Sequence, residues 1–183
     1  MKSARRAEGA VAVVLAVALA ACSMAAPRPP TRIESVKIHS ALGRLWPGPM
    51  PDCVTIQVLD RLDVGGFGES HERPGCGVVE LWTGSLVLAP EPFRAVVAHE
   101  MAHVLLGHTW SWKSRRQAIA EEAAADRLGA RLLLDAFGRS GCLALAGLYE
   151  DAARRGRAWQ SPDHPPLLER ARIVRSVCVG EPR

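Results

Sequence analysis

No run of apolar residues in this chain approaches the roughly 20 that a membrane-spanning helix needs. The sequence also lacks internal repeats and low-complexity tracts, which removes solenoids and disordered arrays from consideration. It has no clustered basic stripe with interleaved aromatics, so nothing points to nucleic acid as a partner. What remains is an ordinary globular composition over 183 residues. That length supports one domain with a real core, but not comfortably two.

The first residues do not read as part of that domain. Lys2, Arg5 and Arg6 make a basic start, and Ala10 to Ala21 form an apolar run of 12 residues before small residues follow. This is the three-part layout of a secretory signal. The run ends Leu19-Ala20-Ala21-Cys22, which resembles the bacterial lipobox, where lipid is attached to the cysteine and the chain is cut just before it. Residues 1–21 are therefore expected to be a lipoprotein-type signal peptide, 22–31 a lipidated N-terminus and linker, and 32–183 the folded domain. Ser23 after Cys22 suits sorting to the outer membrane by the usual bacterial rule. The alternative is an ordinary signal with a chance cysteine. The signal carries Lys2, Arg5, Arg6 and Glu8, so without it the net charge is +2 rather than +4.

Four cysteines remain: Cys53, Cys76, Cys142 and Cys178. An even number in an exported protein suggests two disulfides with three possible connectivities. The sequence-local pairs Cys53–Cys76 and Cys142–Cys178 are favoured, against reduced cysteines packed as small apolar residues.

Hydrophobic periodicity outlines the domain. Residues 32–45 form a candidate helix ended by Pro47, Pro49 and Pro51. Residues 53–59 alternate as a strand. The glycine-rich stretch 63–77 reads as a long loop, and 78–82 and 85–88 as two short strands around Thr83-Gly84. A helix is expected from Pro92 to Leu106 with Gly107 as its left-handed cap. The next begins at a capping box, Ser114-x-x-Gln117, and ends before Gly138. Further helices are expected over 140–155 and from Pro165-Pro166 to about Val177. The fold class is α+β, with a small β-sheet ahead of a mostly helical body.

The chemistry lies in the helix ending at Leu106. His99 and His103 are four residues apart, which stacks both imidazoles on one face. Two neutral imidazoles suit zinc. Glu100 is turned beside such a metal rather than onto it, where it can take a proton from an activated water. The flanks Ala95-Val96-Val97-Ala98 and Val104-Leu105-Leu106 are apolar, so the helix is expected to be buried and its polar groups must be satisfied there. A catalytic zinc needs a third protein ligand. One candidate is His108, five residues after His103 and past Gly107; the metzincin pattern would instead require glycine at 106 and histidine at 109, where this chain has Leu106 and Thr109. The other is Glu122, in Glu121-Glu122-Ala123-Ala124-Ala125-Asp126. Glu122 and Asp126 share a helix face, and the alanines between them permit close packing on the metal helix. Glu122 is the preferred third ligand, with Asp126 holding a histidine ring in place.

Four blocks occur in order: Trp82-Thr83-Gly84-Ser85-Leu86, Ala98-His99-Glu100-Met101-Ala102-His103, Glu122-Ala123-Ala124-Ala125-Asp126, and His164-Pro165-Pro166-Leu167-Leu168-Glu169-Arg170. In this order they resemble the M48 family of gluzincin metallopeptidases, which includes periplasmic lipoproteins. The resemblance covers roughly residues 53–175 and implies a zincin-like fold. It also implies one zinc ion per chain on His99, His103 and Glu122, with Glu100 as general base and Asp126 buttressing the ligands. It further implies that His164 stabilises the oxyanion, and that Arg170 anchors the His164 segment by pairing with an acidic group. Two features depart from the family. Only 18 residues separate His103 from Glu122, which implies an open cleft, and Gly65-Gly66-Phe67-Gly68 stands where the family has Asn-Ala-Phe.

The function implied is a zinc endopeptidase acting on misfolded or envelope proteins, lipid-anchored and facing the periplasm from the outer membrane. The substrate would be extended along an edge strand, either 78–82 or 85–88. The rivals are a non-proteolytic, chaperone-like zinc lipoprotein and a peptidase silent until a partner or a cut activates it.

Overall fold

The computed structural model describes residues 26–71, 73–109, 111, 113–156 and 164–180. The expected signal peptide and Cys22 lie outside them. The architecture is α+β: five helices and a three-stranded mixed sheet among the described residues.

Helix α1 (Arg32–Leu45) starts at a capping box, in which Thr31 accepts from the Glu34 amide and the Glu34 carboxylate accepts from the Thr31 amide. Ile38, Ala41, Leu42 and Leu45 form its buried stripe. The residues just before it are not free linker. Arg28 exchanges backbone hydrogen bonds with Val58, 2.8 Å each way, and its guanidinium grips Glu34 at 2.8 Å and Asp60 at 3.1 Å.

Strand β1 (Val54–Leu59) pairs in parallel with β3 (Gly77–Trp82), and β2 (Gly66–Ser70) pairs antiparallel with β3's other side. The order β1-β3-β2 puts β3 in the centre. This corrects three expectations. Residues 63–77 contain strand β2. Residues 78–82 are not an edge. Residues 85–88 are not a strand: Thr83–Leu86 is a one-turn helix, α2. The reason is local hydrogen bonding. Ser85 Oγ bonds both the amide and the carbonyl of Gly65 at 2.7 Å, and Thr83 Oγ donates to the Arg61 carbonyl at 2.7 Å. These bonds tie α2 to the loop over 61–65, a competition that apolar patterning cannot register. The parallel register sets Val54 opposite Gly77, so the residues just before them, Cys53 and Cys76, meet with Cα atoms 5.1 Å apart and form a disulfide.

Helix α3 (Pro90–Leu106) is the centre of the molecule. Every residue from Ala95 to Val104 is buried, because the sheet, α4 and α1 all pack on it. It ends at Gly107, whose φ of 77° needs no side chain. Strand β2 lies directly on α3, and its glycines permit this. A Cβ on Gly68 would stand 2.0 Å from the Glu100 carbonyl oxygen, and one on Gly66 2.9 Å from the Glu100 side chain.

Helix α4 (Arg115–Arg154) is capped by Ser114 and broken at Gly138, which has φ 69°. The two expected helices are thus contiguous, with the expected boundary between them. By length and composition α4 could cross a membrane. Its fully buried Asp126, paired with an arginine of α5, and its packing on α3 explain it as a core helix. Small residues bring it against α3: a Cβ on Gly129 would lie 3.2 Å from the Ala98 carbonyl. Helix α5 (Leu167–Val179) follows Pro165-Pro166 and packs on α4. The Cys142–Cys178 disulfide, Cα atoms 5.6 Å apart, joins them.

Candidate metal centre

The helix spacing stacks His99 above His103 on α3, with their Nε2 atoms 3.2 Å apart. From α4, Glu122 reaches the same point: its carboxylate oxygens stand 3.3 Å from His99 Nε2 and 3.4 Å from His103 Nε2. Glu100, one residue from His99, is buried beside them, and His99, Glu100 and His103 form a group that could hold a metal ion.

Whether a metal suits these donors can be judged from their spacing. Tetrahedral zinc with ligands at 2.0–2.1 Å separates neighbouring donor atoms by about 3.3 Å. The His99–His103 separation of 3.2 Å matches that figure, and each histidine has one Glu122 oxygen at a like distance, Oε2 at 3.3 Å for His99 and Oε1 at 3.4 Å for His103. Glu122 Oε2 is moreover buried without a well-formed hydrogen bond among the described residues; its charged neighbour is Arg170 Nη2, 3.2 Å away, so an acceptor site for a metal is still open on it. The donor set fits.

Behind the donors lies a buried polar cluster. His99 Nδ1 stands 3.1 Å from Asp126 Oδ1. Arg170 of α5 donates from Nε and Nη2 to the two Asp126 oxygens at 2.8 and 2.9 Å. The Tyr149 hydroxyl donates to Asp126 at 2.5 Å and accepts from Arg170 Nη2 at 2.7 Å. The Arg170 guanidinium also lies over the Tyr149 ring, 4.3 Å from its centroid. An Asp–His contact on the Nδ1 side leaves Nε2 as the free lone pair. Arg170 thus anchors the segment that carries His164, through Asp126. Its Nη2 is also 3.1 Å from His99 Nε2 and 3.2 Å from Glu122 Oε2.

His108 is half-buried and takes no ligand position. Its Nδ1 lies 2.9 Å from His103 Nδ1, on the side of the ring away from Glu122. Strand β2 fixes it there, since the Ser70 amide donates to the His108 carbonyl at 2.7 Å. His164 enters from the start of α5. Its Nε2 is 3.5 Å from Glu122 Oε1, and its Nδ1 is buried without a partner among the described residues.

Electrostatics follow from burial. Desolvation raises Glu100 to about 7. His103 is pushed down to about 3 by burial and by the His99 charge. Burial and Arg170 push His99 down, but Asp126 and Glu122 outweigh them and raise it to about 10. Of the two imidazoles, His99 is therefore the one that favours the charged form when no metal is present, and His103 the one that disfavours it. Glu122 resists burial because His99 and Arg170 hold its carboxyl well below the usual range. Asp126 is held at about 2 against its own burial, chiefly by Arg170.

A cleft of about 380 Å³ opens onto this centre. Glu100, His99, His164, Arg170 and Tyr149 line its polar floor; Val96, Leu145, Leu148 and Trp82 form its apolar walls; Arg61, Asp63 and Gly66 stand on the β2 side.

The structure therefore brings His99, Glu100, His103, Glu122, Asp126, His164 and Arg170 together from three separate sequence blocks. Sequence reasoning missed Tyr149, the one tyrosine of the chain, whose rarity was the only available signal. It also missed the contact of His108 with His103 and the need for glycine at 66 and 68. Comparisons with family models, with curated proteins and with solved structures returned no match to this chain.

Proposed function

We propose that the chain is a zinc-dependent endopeptidase of zincin-like fold, akin to the M48 gluzincins. It is held by lipid on Cys22 at the periplasmic face of a bacterial envelope membrane, where it hydrolyses misfolded or envelope proteins. The observation that carries the reading is the convergence of His99 Nε2, His103 Nε2 and Glu122 at 3.2–3.4 Å beside the buried carboxyl of Glu100.

His99, His103 and Glu122 hold the metal. When bound, zinc supplies Lewis acidity, polarising a carbonyl and making water nucleophilic near neutral pH. Glu100 takes the proton from the attacking water and passes it to the leaving amine; its raised affinity for protons suits both transfers. His164, neutral because burial lowers its proton affinity, donates a hydrogen bond where the oxyanion develops. Asp126 keeps His99 in the tautomer that presents Nε2, and Arg170 and Tyr149 keep Asp126 in place. The substrate lies in the cleft alongside β2, the strand that rests on α3.

Metal analysis of the purified protein, paired with casein digestion by wild type and Glu100→Gln, tests this. Glu100→Gln should keep its zinc and lose roughly 10²–10⁴-fold or more of the turnover; undiminished turnover refutes the assignment.

One observation favours a second reading. Arg170 Nη2 already contacts both His99 Nε2 and Glu122, so the cluster could serve as a metal-free ionic clasp between α3, α4 and α5. Protein that binds no zinc when offered it at neutral pH would establish that reading over the first.

A further inference from the structure

Of the seven large apolar side chains exposed among the described residues, four belong to α1 and to the loops after β1 and α2, while Leu106 belongs to α3 and Leu168 and Val179 to α5. Ile33 and Val36 on α1, Leu62 in the loop after β1, and Val87 after α2 are 85, 68, 95 and 84% exposed. Two tethers bring them to one side. Lys37, four residues from Ile33, donates to the carbonyls of Leu86 and Leu88 at 2.6 and 2.9 Å, so α1 is bound to the turn that carries Val87. Gly84, three residues before Val87, is pressed on the Leu62 carbonyl: a Cβ there would stand 2.2 Å from its oxygen.

The same side is where the chain arrives from Cys22. Arg28 is fixed by its backbone pairing with Val58 and by its grip on Glu34 and Asp60. Glu34 adjoins Ile33, and Asp60 is two residues from Leu62. The six residue steps from Cys22 to Arg28 span at most about 20 Å fully extended. A lipid on Cys22 therefore keeps this side, and no distant one, against the bilayer surface. Arg32 is exposed next to Ile33, placed to meet lipid phosphates.

We infer that Ile33, Val36, Leu62 and Val87 form a lipid-contact face by which the domain rests on the bilayer. The inference rests on the lipid-anchor reading of Cys22. Its consequence concerns substrate access. Leu62 lies between Arg61 and Asp63, which line the cleft, so the cleft opens beside the membrane and receives polypeptide emerging there.

The test uses the full chain, matured in cells and reconstituted in vesicles of phosphatidylethanolamine and phosphatidylglycerol. With Cys22 acylated and the other cysteines in disulfides, an introduced cysteine is the one free thiol. Ile33→Cys, Leu62→Cys, Val87→Cys and, as control, Leu168→Cys on α5 each receive an environment-sensitive fluorophore. The first three should shift to the blue and become several-fold less quenchable by iodide on reconstitution, and the fourth should not change. Protein that floats with the vesicles while all four labels stay equally quenchable overturns the lipid-contact face and leaves the anchor standing. Labels at 33, 62 and 87 that are already shielded in detergent solution, with dimer present, overturn it in favour of a second copy of the chain. Protein that neither carries acyl groups nor floats overturns the anchor itself, and the face with it.

Discussion

Replacing Arg170 by methionine removes the cation from a site where Asp126 has no access to water. The arginine is 4% exposed and the aspartate 0%, and the pair shares two hydrogen bonds of 2.8 and 2.9 Å. Breaking a buried pair by deleting one partner costs about 3–5 kcal/mol where the other charge is left uncompensated; here His99 and the Tyr149 hydroxyl stay on Asp126, which puts the cost toward the lower figure. A second route to the magnitude is linkage. Asp126 is held at about 2 against an ordinary 3.8, chiefly by Arg170, and such a depression is worth on the order of 2 kcal/mol at neutral pH. The sign follows. In the wild type this contribution is present above the unfolded pKa and lost as pH falls through about 2. In Arg170→Met, Asp126 loses the largest of the influences that hold it down and keeps only His99 as a charged partner against its burial, so it takes up a proton more readily, and the variant's deficit is greatest at pH 7 and narrows toward pH 4. Urea denaturation at the two pH values measures this, and Arg170→Met/Asp126→Leu, which deletes both charges, should recover most of the loss. A deficit under 1 kcal/mol, or one independent of pH, would refute the account of this cluster.

Three further outcomes are expected. His108→Ala should weaken zinc binding by roughly 10–100-fold, as loss of a contact to a ligand's second nitrogen does, read by competition with a chelating dye; an unchanged affinity removes His108 from the site. Zinc binding at pH 7.5 should release about one proton, since the metal must displace the proton that Asp126 and Glu122 keep on His99 up to about 10; calorimetry in buffers of different ionisation enthalpy counts it. Cys142→Ser/Cys178→Ser should lower stability by about 4 kcal/mol from the loss of a cross-link spanning 36 residues, and thermal unfolding with and without reductant checks the figure.

The amino-acid sequence by itself determined helix α3 and the stacking of His99 and His103 with Glu100 beside them, because a four-residue spacing on a helix places side chains whatever the rest of the chain does. It also determined the helix end at Gly107 and the break at Gly138, where glycine acts through its own backbone geometry; the start was expected at Pro92 and lies two residues earlier, at Pro90. The two local disulfides were legible by proximity in the chain. The face that Glu122 shares with Asp126 already favoured it over Glu121; only the tertiary structure decided that it meets the histidines, because α4 must dock on α3 to turn Glu122 inward while Glu121 pairs with Lys113. Only it decided that Asp126, Tyr149 and Arg170 form one buried cluster, since their contacts cross 21–44 residues. And only it could show that the glycine-rich stretch after Asp63 is a strand. Gly66 and Gly68 carry no apolar pattern, and their purpose is the space they leave: β2 lies against the backbone of Glu100, a contact that exists only once sheet and helix are packed together.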